Sequence, residues 1–389
     1  MSRASYLFAA FPWDLTDEGP DAALARLAGE LGVDGVTVAV VHPGIHELRG
    51  RPLGGRWAFR CGAAAHFQPD APRYAAARIR PITAAWMKSR NPLEHIARIA
   101  ERERLRLRVS IDPCRGRELV ERFSHAACMD LFGEASDTRL CPSNPEVRAY
   151  IAALAEDLVS NYPVEAVELA GADFGDPSQA RSLADSGVDL PPADRVLFSW
   201  CFCAACRQRA ADSGVSAEAA AAVLQDRLAA AARLEMRDHA TFADVIAGCP
   251  ELAAYQRVRA ESVTSLVRSV KAKCPYRVVY LLDGDLTASG VDPVALADAC
   301  DALNTSFDAG HRSTELSAGH GAVLRKSVEV RLTCRPPLAP DGPALVARTH
   351  EASQAGFDSI TFENYGLTPE PCLDWVRQAV RYARRETRH

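Results

Sequence analysis

The stretch Leu105-Arg106-Leu107-Arg108-Val109-Ser110-Ile111-Asp112 alternates between apolar and polar residues. Successive side chains of an extended strand point to opposite faces, so Leu107, Val109 and Ile111 share one side and Arg108, Ser110 and Asp112 the other. The same division recurs downstream. Leu303, Thr305 and Phe307 oppose Asn304, Ser306 and Asp308; Val328, Val330, Leu332 and Cys334 oppose Glu329, Arg331, Thr333 and Arg335; Ile360 and Phe362 oppose Ser359, Thr361 and Glu363. Within Val164 to Ala170, Glu168 shares a face with Val164, Ala166 and Ala170, opposite Val167 and Leu169. Strands that cover an apolar face with helices and turn a polar face to a common axis are barrel staves.

Working outward, eight candidate strands can be placed: Tyr6 to Phe11, Val36 to His42, Leu105 to Asp112, Val164 to Ala170, Arg277 to Asp283, Ala302 to Asp308, Val328 to Cys334 and Asp358 to Glu363. Helix-period runs lie between them, among them Asp21 to Leu31, Pro92 to Arg102, Pro145 to Asn161, Gly342 to Ala355 and Pro369 to Arg385. Strands alternating with helices predict an α/β fold with a parallel sheet, and eight such units predict a (β/α)8 TIM barrel. A bare barrel takes about 250 residues, so a single domain of 389 must carry insertions. Residues 43–91, rich in Gly and Pro, read as a long loop after strand two, and 174–275 as a helical insertion between strands four and five. Insertions after strand ends sit on the catalytic face of a barrel.

With 48% hydrophobic and 24% charged residues, the chain has a globular composition and is neither disordered nor fibrous. Forty-five basic against fifty acidic residues leave a net charge of −5, which argues against nucleic acid or an anionic membrane as partner. The N-terminal apolar run ends in Pro12-Trp13-Asp14 instead of a small-residue cleavage site, so it reads as a strand and not a signal peptide. No apolar stretch is long enough for a spanning helix. The expected location is cytoplasmic, where the twelve cysteines would be thiols or metal ligands. A monomer and a homo-oligomer are both left open.

Candidate chemistry gathers at the strand ends. His42, Asp112, Glu168, Asp283, Asp308 and Glu363 end their strands or share the polar parity. Strand-end aspartates also cap helices and turns, but burying the whole set without a task would cost stability unless every charge were paired. Arg331, Asn364 and Tyr365 join them as candidate substrate contacts, and Trp13 could stack on a sugar face or pack a loop. No P-loop, G-x-G-x-x-G or G-x-S-x-G pattern is present.

Cys201-Phe202-Cys203-Ala204-Ala205-Cys206 sets three thiols within six residues, and Cys141 precedes them in Leu140-Cys141-Pro142. Three converging thiolates and one distant cysteine suit a closed, structural tetrahedral zinc site; the competing reading is a set of buried core thiols.

The order Leu140-Cys141-Pro142-Ser143-Asn144-Pro145, a helix, Val167-Glu168-Leu169-Ala170-Gly171-Ala172-Asp173-Phe174-Gly175, then the three cysteines, resembles glycoside hydrolase family 42 β-galactosidases. The resemblance runs from Leu140 to Cys206 and implies a fourth strand ending in a catalytic acid, a Cys zinc site and a sugar substrate. The family's acid/base Glu falls on Asp173, which implies that Asp173 is the proton donor. The nucleophilic Glu expected at the end of the seventh strand is missing, since Thr333-Cys334-Arg335-Pro336-Pro337 stands there, and Glu363-Asn364-Tyr365 after the eighth is the available substitute. What the resemblance implies is a diverged sugar-active barrel, with Asp173, Glu363, Glu168 and Asp283 as candidate catalytic carboxylates and a glycoside or sugar-like small molecule as partner. A sugar isomerase or epimerase built on His42 and the carboxylates, or a glycan-binding barrel without catalysis, are the alternatives.

Overall fold

The computed structural model describes residues 4–75, 77–175, 187–235, 240–307 and 327–386. Its strands are β1 (Ser5–Ala10), β2 (Gly35–Leu53), β3 (Arg56–Ala65), β4 (Arg106–Ile111), β5 (Ala127–Met129), β6 (Ala135–Leu140), β7 (Ala166–Leu169), β8 (Arg277–Leu282), β9 (Ala302–Ser306), β10 (Ser327–Thr333) and β11 (Ser359–Glu363). Eight of them pair in parallel in the order β1-β2-β4-β7-β8-β9-β10-β11, and β11 returns to β1, which closes the barrel. Helices lie between the staves in the described connections, as in a (β/α)8 TIM barrel.

The parity of the staves explains the closure. Leu107, Val109, Ile111, Val167, Leu169, Val278, Leu303, Val330, Leu332, Ile360 and Phe362 are buried in one apolar core together with the helix residues Ile96, Ile151, Leu154, Leu266 and Val376. Each such side chain contributes about 1.5–3 kcal/mol when removed from water. The opposite parity fills the interior with ion pairs that span the axis. Arg108 of β4 donates to Glu329 of β10 at 2.7 Å, and Arg277 of β8 lies 3.0 Å from the same carboxylate. β4 and β10 are not neighbours in the sheet, so this contact crosses the barrel.

Residues 43–65, the first half of the loop expected from the sequence, are a hairpin, whereas the described residues of 66–91 are irregular apart from two short 3-10 turns. β2 continues to Leu53, turns at Gly54 and Gly55, and returns antiparallel as β3. Both glycines have positive φ, +56° and +79°, the backbone that a tight hairpin turn requires. The hairpin escapes an apolar-period search because its buried face is charged: Glu47, Arg49 and Arg51 are buried, whereas Leu48 is exposed.

The excursion after β7 is helical as expected, with helices at Pro192–Phe198, Ala204–Asp212, Ala217–Ala232, Phe242–Ala247 and Pro250–Lys273. It has an apolar cluster of its own around Leu197, Trp200, Phe202, Leu224 and Tyr255. No helix among the described residues is long and apolar enough to cross a membrane.

Candidate active site and cysteine centre

The polar parity converges at the C-terminal mouth of the barrel. Glu168 of β7 is buried, with one carboxylate oxygen bonded to the Arg331 guanidinium of β10 and the other accepting the Asn304 amide of β9 at 2.8 Å. The same guanidinium stands 3.7 Å from Glu363 of β11, whose second oxygen accepts the Thr333 hydroxyl at 3.4 Å. One arginine is thus shared by two carboxylates from opposite sides of the barrel, and their field raises its affinity for its proton against the opposing effect of burial. Asp283, just beyond β8, is exposed, accepts the Gly284 amide at 2.9 Å and acts electrostatically on both Arg331 and Arg115. Asp112 is buried against Arg115, whose Nε donates at 2.6 Å.

A register shift brings His42 to this ring. β2 and β4 pair in step from Gly35 to Ala39, then Val41 pairs with Ile111, so Val40 is an extra residue. The bulge reverses the parity of β2 and sets His42 beside Asp112 on the axial side. Burial, reinforced by the positive charge of Arg115, lowers the His42 pKa from 6.5 to about 4. At neutral pH its imidazole is uncharged and serves as a hydrogen-bonding group.

Trp13 and Tyr365 are corrected as sugar contacts, and Asp173 is found in a bonded turn. Trp13 has no face for a sugar: it is fully buried, stacked between Phe11 at 4.5 Å and Phe59 at 4.6 Å, with its indole N–H on Glu47 at 2.8 Å. The β2–β3 hairpin that supplies Phe59 and Glu47 covers it. Tyr365 is likewise buried, its hydroxyl on Glu18 at 3.0 Å and its ring under Arg51 at 4.2 Å. Asp173, expected as proton donor, is buried and bound on both oxygens. One accepts the Gly175 amide at 2.8 Å and Arg139 at 3.3 Å, the other the Tyr280 hydroxyl at 3.0 Å. Tyr280 belongs to the parity of β8 that faces the helices, because its neighbour Val279 pairs with the axial Glu168. Asp173 is thus held in the turn after β7 by bonds to both oxygens, and it acts electrostatically on Arg115 of the mouth.

Asn364 follows Glu363 with a left-handed backbone, φ +59°, and its carbonyl accepts the Thr368 hydroxyl at 2.8 Å. Asp308 lies outside the described residues. Asn304 and Thr333 also belong to the polar parity, and that parity is the sequence signal that marks them. Arg115 and Arg139 offered none, because their carboxylate partners are set by turns and by the β5–β6 hairpin. A cavity of about 500 Å³ opens at the opposite end of the barrel, among Asp34, Arg104, Arg106 and Arg384.

The four predicted cysteines meet. Cys141, Cys201, Cys203 and Cys206 are buried, and their sulfurs all lie within 4.8 Å of one another. Cys141 is 3.5 Å from Cys203 and from Cys206 and 3.8 Å from Cys201. A tetrahedral ion with metal–sulfur bonds of about 2.3 Å separates its ligands by about 3.8 Å, so the donor set fits a closed metal site. The Met129 amide donates to the Cys201 sulfur at 3.3 Å, the kind of outer hydrogen bond that orients a ligating thiolate. Local sequence sets the fourth cysteine in place: Asn144 caps the helix Pro145–Asn161 by accepting from the Glu146 amide at 2.8 Å, which fixes the turn that carries Cys141.

No protein-family model matches the chain, and no curated protein matches it in sequence. Solved structures do match. The glycoside hydrolase domain of PgaB (BpsB) from Bordetella bronchiseptica superposes with a TM-score of 0.57 at 12% identity, over 97% of this chain and 98% of that one. The chain is similar in fold to glycoside hydrolases. An α-L-fucosidase isoenzyme 2 from Paenibacillus thiaminolyticus matches with a TM-score of 0.56 at 12% identity, over 99% of this chain and 49% of that one. A β-galactosidase from the psychrophilic Marinomonas ef1 matches at 0.54 and 12%, over 97% and 59%. The chain thus spans about half to three fifths of the length of the last two.

Proposed function

We propose that this barrel is a carbohydrate-active enzyme that acts on a glycoside or sugar-like small molecule by carboxylate acid/base chemistry at its C-terminal mouth. The observation that carries the reading is the Glu168–Arg331–Glu363 bridge across the axis. Glycoside cleavage needs one carboxyl group to protonate the leaving oxygen and one carboxylate to attack or to activate water. Glu363, a quarter exposed and facing Arg331, takes the second role. Asp283, exposed on the facing strand end, takes the first in place of Asp173. Glu168 is buried between Arg331 and Asn304 and orients the guanidinium. Neutral His42 and Asp112 with Arg115 supply substrate hydrogen bonds, as do Asn364 and Asp308. Zinc in the four-cysteine centre ties the helical insertion to β6 and the helix that follows, and takes no part in the chemistry.

A second reading, a glycan-binding barrel without turnover, is favoured by one feature: Thr333, Cys334 and Arg335 stand at the end of the seventh stave, where no carboxylate is present. Purified protein assayed on a panel of aryl glycosides separates the two. Cleavage that D283N or E363Q reduces by about 10²-fold or more supports the first. Glycan binding without turnover supports the second, and interconversion of free sugars without glycoside cleavage moves the chemistry to His42 and Asp112.

A further inference from the structure

Arg259 lies on the helix Pro250–Lys273 and is 2% exposed, and among the described residues it makes no ion pair. A buried cation without a counter-ion costs stability, and here it is held by aromatic faces and carbonyls. Its guanidinium carbon stands 4.7 Å from the ring centres of both Phe174 and Trp200. Nη2 donates to the Ala288 carbonyl at 2.8 Å and Nη1 to the Gln256 side chain at 2.6 Å.

Each aromatic partner belongs to a different centre. Phe174 follows Asp173 in the turn after β7, and its amide donates to the Ser289 carbonyl at 3.1 Å. Trp200 immediately precedes Cys201. One helical turn before Arg259, the Tyr255 hydroxyl donates to the Cys201 carbonyl at 2.6 Å and its ring stacks on Phe202 at 4.9 Å. One helix therefore grips the cysteine loop and the Asp173 turn together. That turn in turn abuts the mouth: a side chain at Gly171 would collide with the Asp112 carboxylate, at 2.5 Å.

We propose that Arg259 is a positioning residue that couples metal occupancy of the four-cysteine centre to the order of the Gly171–Gly175 turn. The inference rests on the reading that the centre binds metal. With the four thiolates drawn together, Trp200 is fixed against the guanidinium. Without them, the Trp200 contact loosens, the guanidinium loses part of its cover, and Phe174 loses the group that holds it.

Hydrogen exchange of the full-length chain, read by mass spectrometry, tests this without any substrate. Metal-loaded protein is compared with protein stripped by chelator under reducing conditions, with elemental analysis of both. Stripping is expected to speed exchange of the Phe174 and Gly175 amides by at least about tenfold. R259M is expected to keep its metal and to show fast exchange at the same two amides when loaded; stripping then adds less than about twofold, because the coupling is already lost. R259K, which keeps the charge without the planar stacking surface, serves if R259M does not fold and is expected to behave in the same way. Stripping that deprotects the helices at 192–232 but leaves Phe174 and Gly175 unchanged overturns the coupling, as do effects of stripping and substitution that simply multiply. Protein that holds no metal before stripping overturns the metal reading itself and the coupling with it.

Discussion

Arg331→Met removes the cation that Glu168 and Glu363 share. Glu168 is 4% exposed, and once its guanidinium partner is gone it keeps only the neutral Asn304 amide at 2.8 Å. Breaking a buried pair by deleting one partner costs about 3–5 kcal/mol, because the other charge stays buried. Arg331 is itself 15% exposed and water can reach the gap, so the lower end, about 3 kcal/mol, is expected. The double variant R331M/E168Q removes the stranded charge and should recover part of the loss, with a coupling of about 1–3 kcal/mol. Urea unfolding followed by far-ultraviolet circular dichroism at pH 7, on the four proteins of the cycle, measures both quantities. If R331M unfolds within about 0.5 kcal/mol of wild type, as an ordinary surface substitution does, or if the two single effects add, the bridge is not the buried pair described.

Three further outcomes follow from buried groups elsewhere. Burial, and next Glu47, pushes the Asp14 carboxyl from 3.8 to about 7; the folded chain keeps a proton that the unfolded chain releases, so Asp14 lowers stability as pH rises from about 4 to 7, by about 4 kcal/mol in all. D14N should remove that slope in urea midpoints taken at pH 5 and 7.5, and an unchanged difference between the two would contradict it. His42 works in the opposite sense: its folded pKa is depressed, so the unfolded chain takes up the proton first and stability is lost as pH falls from about 6.5 to 4, by about 3 kcal/mol. H42Q should be less acid-sensitive over that window than wild type, with the reverse result refuting it. Cys203→Ser should reduce metal from about one per chain and lower the melting temperature, and a full metal complement in C203S would remove Cys203 from the centre.

Most of the barrel was legible because its staves obey one rule, an apolar face toward helices and a polar face toward the axis. Glu168, Arg331 and Glu363 were found by that parity alone, and the structure bonds them to one another. The β2–β3 hairpin was not legible because its buried face, Glu47, Arg49 and Arg51, is charged and finds its partners in Asp14, Asp17 and Glu18 far back in the chain. Trp13 misled for the same reason: its covering residue Phe59 comes from that hairpin. Asp173 sits where a strand-end acid should, and the groups that hold it, Arg139 and Tyr280, come from β6 and β8. The four cysteines were readable because three are close in sequence and the fourth lies beside a capped helix that fixes its turn.

Acid/base work on a sugar by the carboxylates around Arg331 requires that Glu363 touch the reacting bond. The decisive quantity is kcat/KM of E363Q on whichever aryl glycoside the wild-type protein cleaves, measured beside D173N. A fall of about 10²-fold or more in E363Q, with D173N losing far less, is the expected result. Near-normal turnover in E363Q together with a collapse in D173N would place the chemistry on the turn after β7 and contradict the account.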